Sequence, residues 1–120
     1  MRKPFLFPLG IDLIEIKKAK RLYEFHKDRL GSFFSPREIT YIERSRKPHE
    51  NFAVLLALKE AVFKAELRFG TGLAVFRNIE MIPRNKKKFS MRLNEKPKKV
   101  NYKFFILRNK KYVVAQCAGI

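Results

Sequence analysis

Two acidic residues lie far apart in this chain, Asp12 and Glu60, in settings where a carboxylate can either do chemistry or simply finish a helix. Asp12 is followed three residues on by Glu15, the spacing of a capping pair at a helix start. Glu60 stands in Leu58-Lys59-Glu60-Ala61-Val62-Phe63-Lys64-Ala65, where Lys64 is one helical turn away, the spacing of a surface ion pair. Taken singly, each acid reads more economically as a cap or an ion pair. Two carboxylates from separate elements would suffice for a hard ion such as magnesium only if the fold brought them together. Gly70-Thr71-Gly72 is by itself a helix stop and turn, too short for a phosphate loop. His26 and His49 have no Cys or His at metal-ligand spacing and are assigned to the surface or to local packing.

The elements that must position these residues follow from pattern. Phe5 to Ile11 is short and apolar with Pro8 inside, which predicts a strand near a sheet edge that closes at Asp12. From Leu13 the pattern turns helical, with Ile16, Ala19, Tyr23 and Leu30 on one side and Lys17, Lys18, Lys20 and Arg21 on others. Ser35-Pro36-Arg37-Glu38 predicts a capped helix running to about Arg44. Phe52, Leu55, Leu56, Val62, Phe63 and Leu67 recur at helical intervals from Asn51 to Phe69, ending at Gly70, which predicts a long core helix. Leu73 to Ile82, Phe89 to Leu93, Val100 to Leu107 and Tyr112 to Ala118 then read as strands, the last two as a hairpin. Helices grouped after a first strand and followed by antiparallel strands predict an α+β domain spanning residues 1–120.

The chain's 120 residues suit one core, and no apolar run is long enough to span a membrane. Pro4 and Pro8 interrupt the apolar start and no small-residue cleavage site follows, so no signal peptide is expected. Cys117 is the only cysteine, which excludes an internal disulfide and suits a reducing cytoplasm, with the thiol buried in a strand. With 28 Lys and Arg against 11 Asp and Glu, a net charge of +17 would attract any polyanion. The field is strongest from Arg84 to Lys111, where basic residues greatly outnumber the single acid Glu95. A nucleic-acid-binding module is the distant reading, since the basic residues lack a recognised RNA-binding strand motif or recognition helix.

Gly10-Ile11-Asp12-Leu13-Ile14-Glu15 and the block from Leu58 to Ala65 resemble, in order and separation, the two signature blocks of holo-acyl-carrier-protein synthases. Phe34-Ser35-Pro36-Arg37-Glu38, Gly70-Thr71-Gly72 and Asn78-Ile79-Glu80 agree as well, so the likeness runs from about Leu9 to Ile82 and thins to Tyr112 through Gln116. The resemblance implies a 4'-phosphopantetheinyl transferase-like fold with helices packed on an antiparallel sheet. It implies magnesium on Asp12 and Glu60, holding the pyrophosphate of coenzyme A, with Glu60 and Lys64 catalytic. Lys59, Gly70, Thr71, Gly72 and Arg108 would lie beside the coenzyme. Lys17, Lys18, Lys20 and Arg21 would dock the acidic helix of apo acyl carrier protein. The family assembles as homotrimers with sites at subunit boundaries. Either Glu60 or a metal-bound water would take the proton of the acceptor serine.

Two departures stand beside the likeness. Leu55 occupies the position of an arginine that reaches a coenzyme phosphate in the family, and Phe105 and Arg108 stand where the penultimate strand carries a serine and a histidine. Arg108, Lys110 or a lysine of the Arg84 to Lys88 turn would have to compensate. The competing reading is a family member that binds coenzyme or carrier protein without transfer.

Overall fold

A computed structural model describes residues 8–65, 78–85, 88–93 and 102–119. Strand β1 (Leu9–Glu15) leads into α1 (Ile16–His26), a 3₁₀ stretch over Lys27–Ser32, α2 (Pro36–Glu43) and α3 (Pro48–Ala65). Four further strands follow: β2 (Ile79–Pro83), β3 (Phe89–Leu93), β4 (Tyr102–Arg108) and β5 (Tyr112–Gly119). Among the described residues they form an antiparallel sheet ordered β1-β5-β4 and a separate β2-β3 hairpin, two sheets where the sequence predicts one. The expected hairpin of the last two strands is β4–β5, with Phe105 opposite Gln116 and Arg108 opposite Val113.

Strand β1 is an edge strand, as Pro8 suggests, but it does not stop at Asp12. It continues to Glu15, and Asp12 sits mid-strand opposite Ala115. The helix starts at Ile16, and Glu15 at its cap position makes no side-chain capping bond, which removes the capping-pair reading of Asp12 and Glu15. The reason is the alternation along β1. Gly10, Asp12 and Ile14 face inward and are buried or partly so, while Leu9, Ile11, Leu13 and Glu15 face outward and are exposed. Adjacent Leu13 and Ile14 look helical only when that period of two is not followed from Leu9.

Helix α2 has the capping box read from its sequence: Glu38 N–H donates to Ser35 Oγ at 3.2 Å and Ser35 N–H donates to Glu38 Oε1 at 2.9 Å. Helix α3 begins at Pro48, earlier than the Asn51 of the sequence pattern, because proline suits the first helical turn. It is buried nearly all round, through Phe52, Ala53, Val54, Leu55, Ala57, Leu58, Ala61 and Val62. That is the signature of a central helix covered from several sides. One side lies against β1 and β5, the others against α1, α2 and β2. Ile14, Val113, Ala115 and Cys117 supply the sheet's share of the core, and the cysteine is buried as expected.

At Gly10 strand β1 comes close to the backbone of α3. A Cβ there would overlap the Ala61 carbonyl oxygen and stand 2.9 Å from the Ala65 nitrogen, both backbone atoms of α3. Only glycine lets the strand lie this near the helix. Gly10→Ala should therefore force β1 and α3 apart at an overpacking cost of about 1–3 kcal/mol or more. Chemical denaturation of the variant checks it, and an unchanged midpoint would refute the account.

Candidate functional site

Because β1 lies so close to α3, the inward-facing Asp12 meets the last turns of the helix. Lys64 Nζ donates to Asp12 Oδ1 at 2.8 Å and to the Ile11 carbonyl oxygen at 3.4 Å. The Asp12 side chain keeps 16% of its exposure, enough for a ligand to reach its oxygens. Glu60 lies one turn before Lys64 and is half-buried. Its carboxyl is pushed above the ordinary carboxylate range, first by burial and then by the negative charge of Asp12, with Lys64 opposing. The structure thus brings Asp12, Glu60 and Lys64 together. It also corrects the surface-pair reading of Glu60 with Lys64: the lysine reaches across to Asp12, which offers a carboxylate beside a strand carbonyl. Among the described residues, Glu60 makes no hydrogen bond or ion pair.

This donor set fits a hard divalent ion that shares its shell with phosphate oxygens and water. Two carboxylates repel each other across a partly sheltered space, and a bound cation would relieve that repulsion. No group of three or more His, Cys, Asp and Glu side chains converges among the described residues, so they do not form an all-protein metal cage.

Lys59 is placed differently from its expected position beside the coenzyme. Its side chain is fully buried, with Nζ 2.7 Å from Glu38 Oε1, itself fully buried. The ammonium also donates to the Phe33 carbonyl at 3.0 Å and lies 4.7 Å from the centre of the Phe34 ring. Glu38 Oε2 accepts from the Met81 N–H at 2.8 Å, so one carboxylate joins α2, α3 and β2. Ser35 Oγ extends the network by donating to Glu80 Oε2 at 2.7 Å. Burial pushes the Glu38 carboxyl up and the Lys59 ammonium down, each opposed by the charge of the other. The Ser-Pro-Arg-Glu block signals the cap, but nothing in sequence shows that the free end of Glu38 meets a lysine on α3.

The remaining sequence-predicted residues divide by place. Lys17, Lys18, Lys20 and Arg21 are all exposed on α1. Lys17 and Lys20 border a hollow shared with the β4–β5 turn, while Lys18 lies on the other flank beside Phe25, seven residues on, which is 68% exposed. Arg108 is exposed on edge strand β4, with β5 between it and β1. It lines a 190 Å³ hollow with Tyr41, Val54 and Phe89. Leu55 is fully buried, and Phe105 is exposed on the outer sheet face. His26 packs against the rings of Phe25 and Phe33. Gly70, Thr71 and Gly72 lie outside the described residues.

Removing one member of the buried pair strands the other's charge. Lys59→Met should cost about 3–5 kcal/mol at neutral pH. The loss should shrink as pH falls and the stranded Glu38 takes a proton. Adding Glu38→Gln, which removes that charge while keeping an acceptor, should recover part of it at neutral pH. Urea unfolding of the single and double variants across pH decides the matter; a single variant as stable as the parent would show that the pair holds nothing.

Comparisons with known proteins place the chain in a family. The description of the 4'-phosphopantetheinyl transferase superfamily matches residues 8–117. A holo-[acyl-carrier-protein] synthase of Finegoldia magna is 29% identical over 108 residues, covering 90% of this chain and 91% of that protein. One of Moorella thermoacetica is 38% identical over 72 residues, 60% of this chain, and the match spans only 56% of that relative's length. The ACPS–CoA complex of Chronobacterium ammoniagenes superposes with a TM-score of 0.77 at 22% identity, over 97% of this chain and 98% of that one, and so shares its fold. The chain therefore belongs to the 4'-phosphopantetheinyl transferase superfamily, and its paired carboxylates lie where the strand and helix carrying the two signature blocks meet.

Proposed function

We propose that this protein is a holo-acyl-carrier-protein synthase, moving 4'-phosphopantetheine from coenzyme A to the acceptor serine of an apo acyl carrier protein in the cytoplasm, as a step that serves fatty acid synthesis. The observation that carries the reading is the meeting of Asp12, Glu60 and Lys64 from separate elements at one partly open place. In the transfer, the serine oxygen bonds to the phosphorus nearer the pantetheine. The bond from that phosphorus to the bridging oxygen breaks, and adenosine 3',5'-bisphosphate leaves. Asp12 and Glu60 would hold magnesium, which when bound neutralises charge on the diphosphate. Lys64 already places its ammonium beside Asp12, where it would add positive charge against the diphosphate. Glu60 or a metal-bound water would accept the serine's hydrogen. Lys17, Lys18, Lys20 and Arg21, exposed on α1, suit an acidic carrier helix by charge.

A trimer is part of the proposal. Leu9, Ile11 and Leu13 of β1 and Phe105 and Leu107 of β4 are 51–73% exposed. Register sets them on either side of β5, with Ile11, Gln116 and Phe105 in one row and Leu13, Val114 and Leu107 in the next. A continuous apolar sheet face of this kind favours association with further copies. Since β5 separates Arg108 from β1, an Arg108 that touches coenzyme held at Asp12 would come from a neighbouring copy.

Incubated with apo carrier protein, coenzyme A and magnesium, the protein should add one phosphopantetheine to the carrier, read by mass spectrometry. Asp12→Ala and Glu60→Ala should each lower the rate on the order of 100-fold or more with little loss of folding. No mass gain under any condition would sink the enzyme reading, and full activity in either variant would make that carboxylate structural. Light scattering should give three chain masses, and Leu13→Glu with Leu107→Glu should shift it toward one. A monomer with full transfer activity would end the trimer proposal.

A further inference from the structure

We infer that the Lys64 ammonium makes entry of a divalent ion depend on the diphosphate, so that metal and coenzyme occupy the site together and the two carboxylates hold the ion only weakly by themselves. The inference rests on the transfer reading, and it concerns what Lys64 does before any bond is broken. Among the described residues the charges that meet at the site are those of Asp12, Glu60 and Lys64. Lys59, next to Glu60 on α3, is buried against Glu38, which offsets its charge. Two carboxylates against one ammonium leave a single net negative charge, too little to balance a divalent ion. A diphosphate supplies the negative charge that is lacking.

Geometry puts the ammonium where an ion must compete with it. Lys64 Nζ donates to Asp12 Oδ1 at 2.8 Å, and the Ile11 carbonyl oxygen at 3.4 Å holds it from the same strand. An ion that takes Oδ1 must displace the lysine, and one that takes the other oxygen of Asp12 lies across a single carboxylate from a like charge. Either route costs affinity. The Asp12 side chain is the more sheltered partner, so water and salt screen this contact less than they would a fully exposed pair. Glu60, one turn before Lys64, feels both neighbours, the negative charge of Asp12 and the positive charge of Lys64 acting on it in opposite senses. The lysine thus already eases the repulsion between the two acids, and an ion arriving alone has less to gain.

The donor set points the same way. No group of three or more His, Cys, Asp and Glu side chains converges among the described residues, so these carboxylates fill only a small part of an octahedral shell. Phosphate oxygens fill more of it, and once they are present the ammonium has a second anion to face. Lys64 therefore opposes the free ion and favours the ion that comes with phosphate, a coupling between two ligands set by one charge.

Manganese(II) is the probe: it takes the same oxygen donors as magnesium, and its unbound form is counted directly by paramagnetic resonance. Carrier protein is left out, so nothing turns over. The native protein should bind manganese on the order of tenfold or more tightly with saturating coenzyme A than without, after allowance for the ion that the coenzyme binds in solution. Lys64→Met should raise the affinity for manganese alone by about tenfold and shrink the advantage given by the coenzyme by a similar factor. Lys64→Arg, which keeps the charge, should behave as the native protein does. Melting in metal-free buffer checks that both variants fold, and the native comparison stands without them. The inference is overturned if the native protein binds manganese equally well with and without the coenzyme, or binds none in either state. It is equally overturned if Lys64→Met leaves the affinity for manganese alone unchanged, which would make the lysine only a tie between β1 and α3, or if Lys64→Arg gains as much as Lys64→Met. A protein that modifies no carrier yet shows the coupling would retire the transfer reading and leave the part assigned to Lys64 standing.

Discussion

The contact between Gly10 and the backbone of α3 is the constraint on which the site depends. A strand and a helix normally stand apart by the depth of their side chains, and a carboxylate as short as that of Asp12 would not cross such a gap. With no side chain at Gly10 and only methyl groups at Ala61 and Ala65, the two backbones come together. Asp12, two residues along the same face, then lies within 2.8 Å of Lys64, and its charge is felt at Glu60. The approach is thus a matter of chain geometry before it is a matter of electrostatics. The charged residues meet because apolar packing and a missing Cβ bring their backbones together.

A close approach fixes distance but not rotation, and α3 could still turn about its axis. The Glu38–Lys59 pair limits that freedom. Lys59 is the residue immediately before Glu60, and its buried ammonium is held by a carboxylate from α2 and a carbonyl from the turn ahead of it. The same carboxylate accepts a backbone N–H from β2, so all three elements share one polar node. Such a pair contributes little net stability, because burying both charges offsets much of their attraction. Its hydrogen bonds are directional, however, and a helix rotated away from Glu38 would leave two charges buried without partners. The node favours one orientation of α3, the one that turns Glu60 and Lys64 toward β1.

The chemistry was more legible in the sequence than the geometry that makes it possible. The residues Asp12, Glu60 and Lys64 stand out by type and context, and the structure does bring them together. The α+β order, the capped α2 and the β4–β5 hairpin follow from local signals, such as Ser35 before Pro36 and Asn109 in a charged turn, that act over a few residues. What was not legible depends on pairs distant along the chain. Gly10 lies inside the predicted first strand, and its need to be glycine shows only when Ala61 is seen above it. The resemblance sets Lys59 beside the coenzyme, and only the fold shows Glu38 waiting for it. The end of β1 was misplaced because two adjacent apolar residues satisfy helical and strand patterns equally, and pairing with β5 decides between them.

Strand β1 also joins the two levels of organisation through its period of two. Its inward set, Gly10, Asp12 and Ile14, provides the close approach, one carboxylate of the site and a core side chain. Its outward set, Leu9, Ile11 and Leu13, provides the apolar rows offered to further copies in the proposed assembly. A slip of one residue against β5 would exchange the sets, burying leucines against α3 where only glycine fits and turning Asp12 onto the apolar face. Both consequences are costly, so the register that forms the proposed site also forms the proposed associating face. Selection on either function of the strand therefore constrains the other, and a substitution on the outer face that disturbs pairing with β5 reaches Asp12 without touching it.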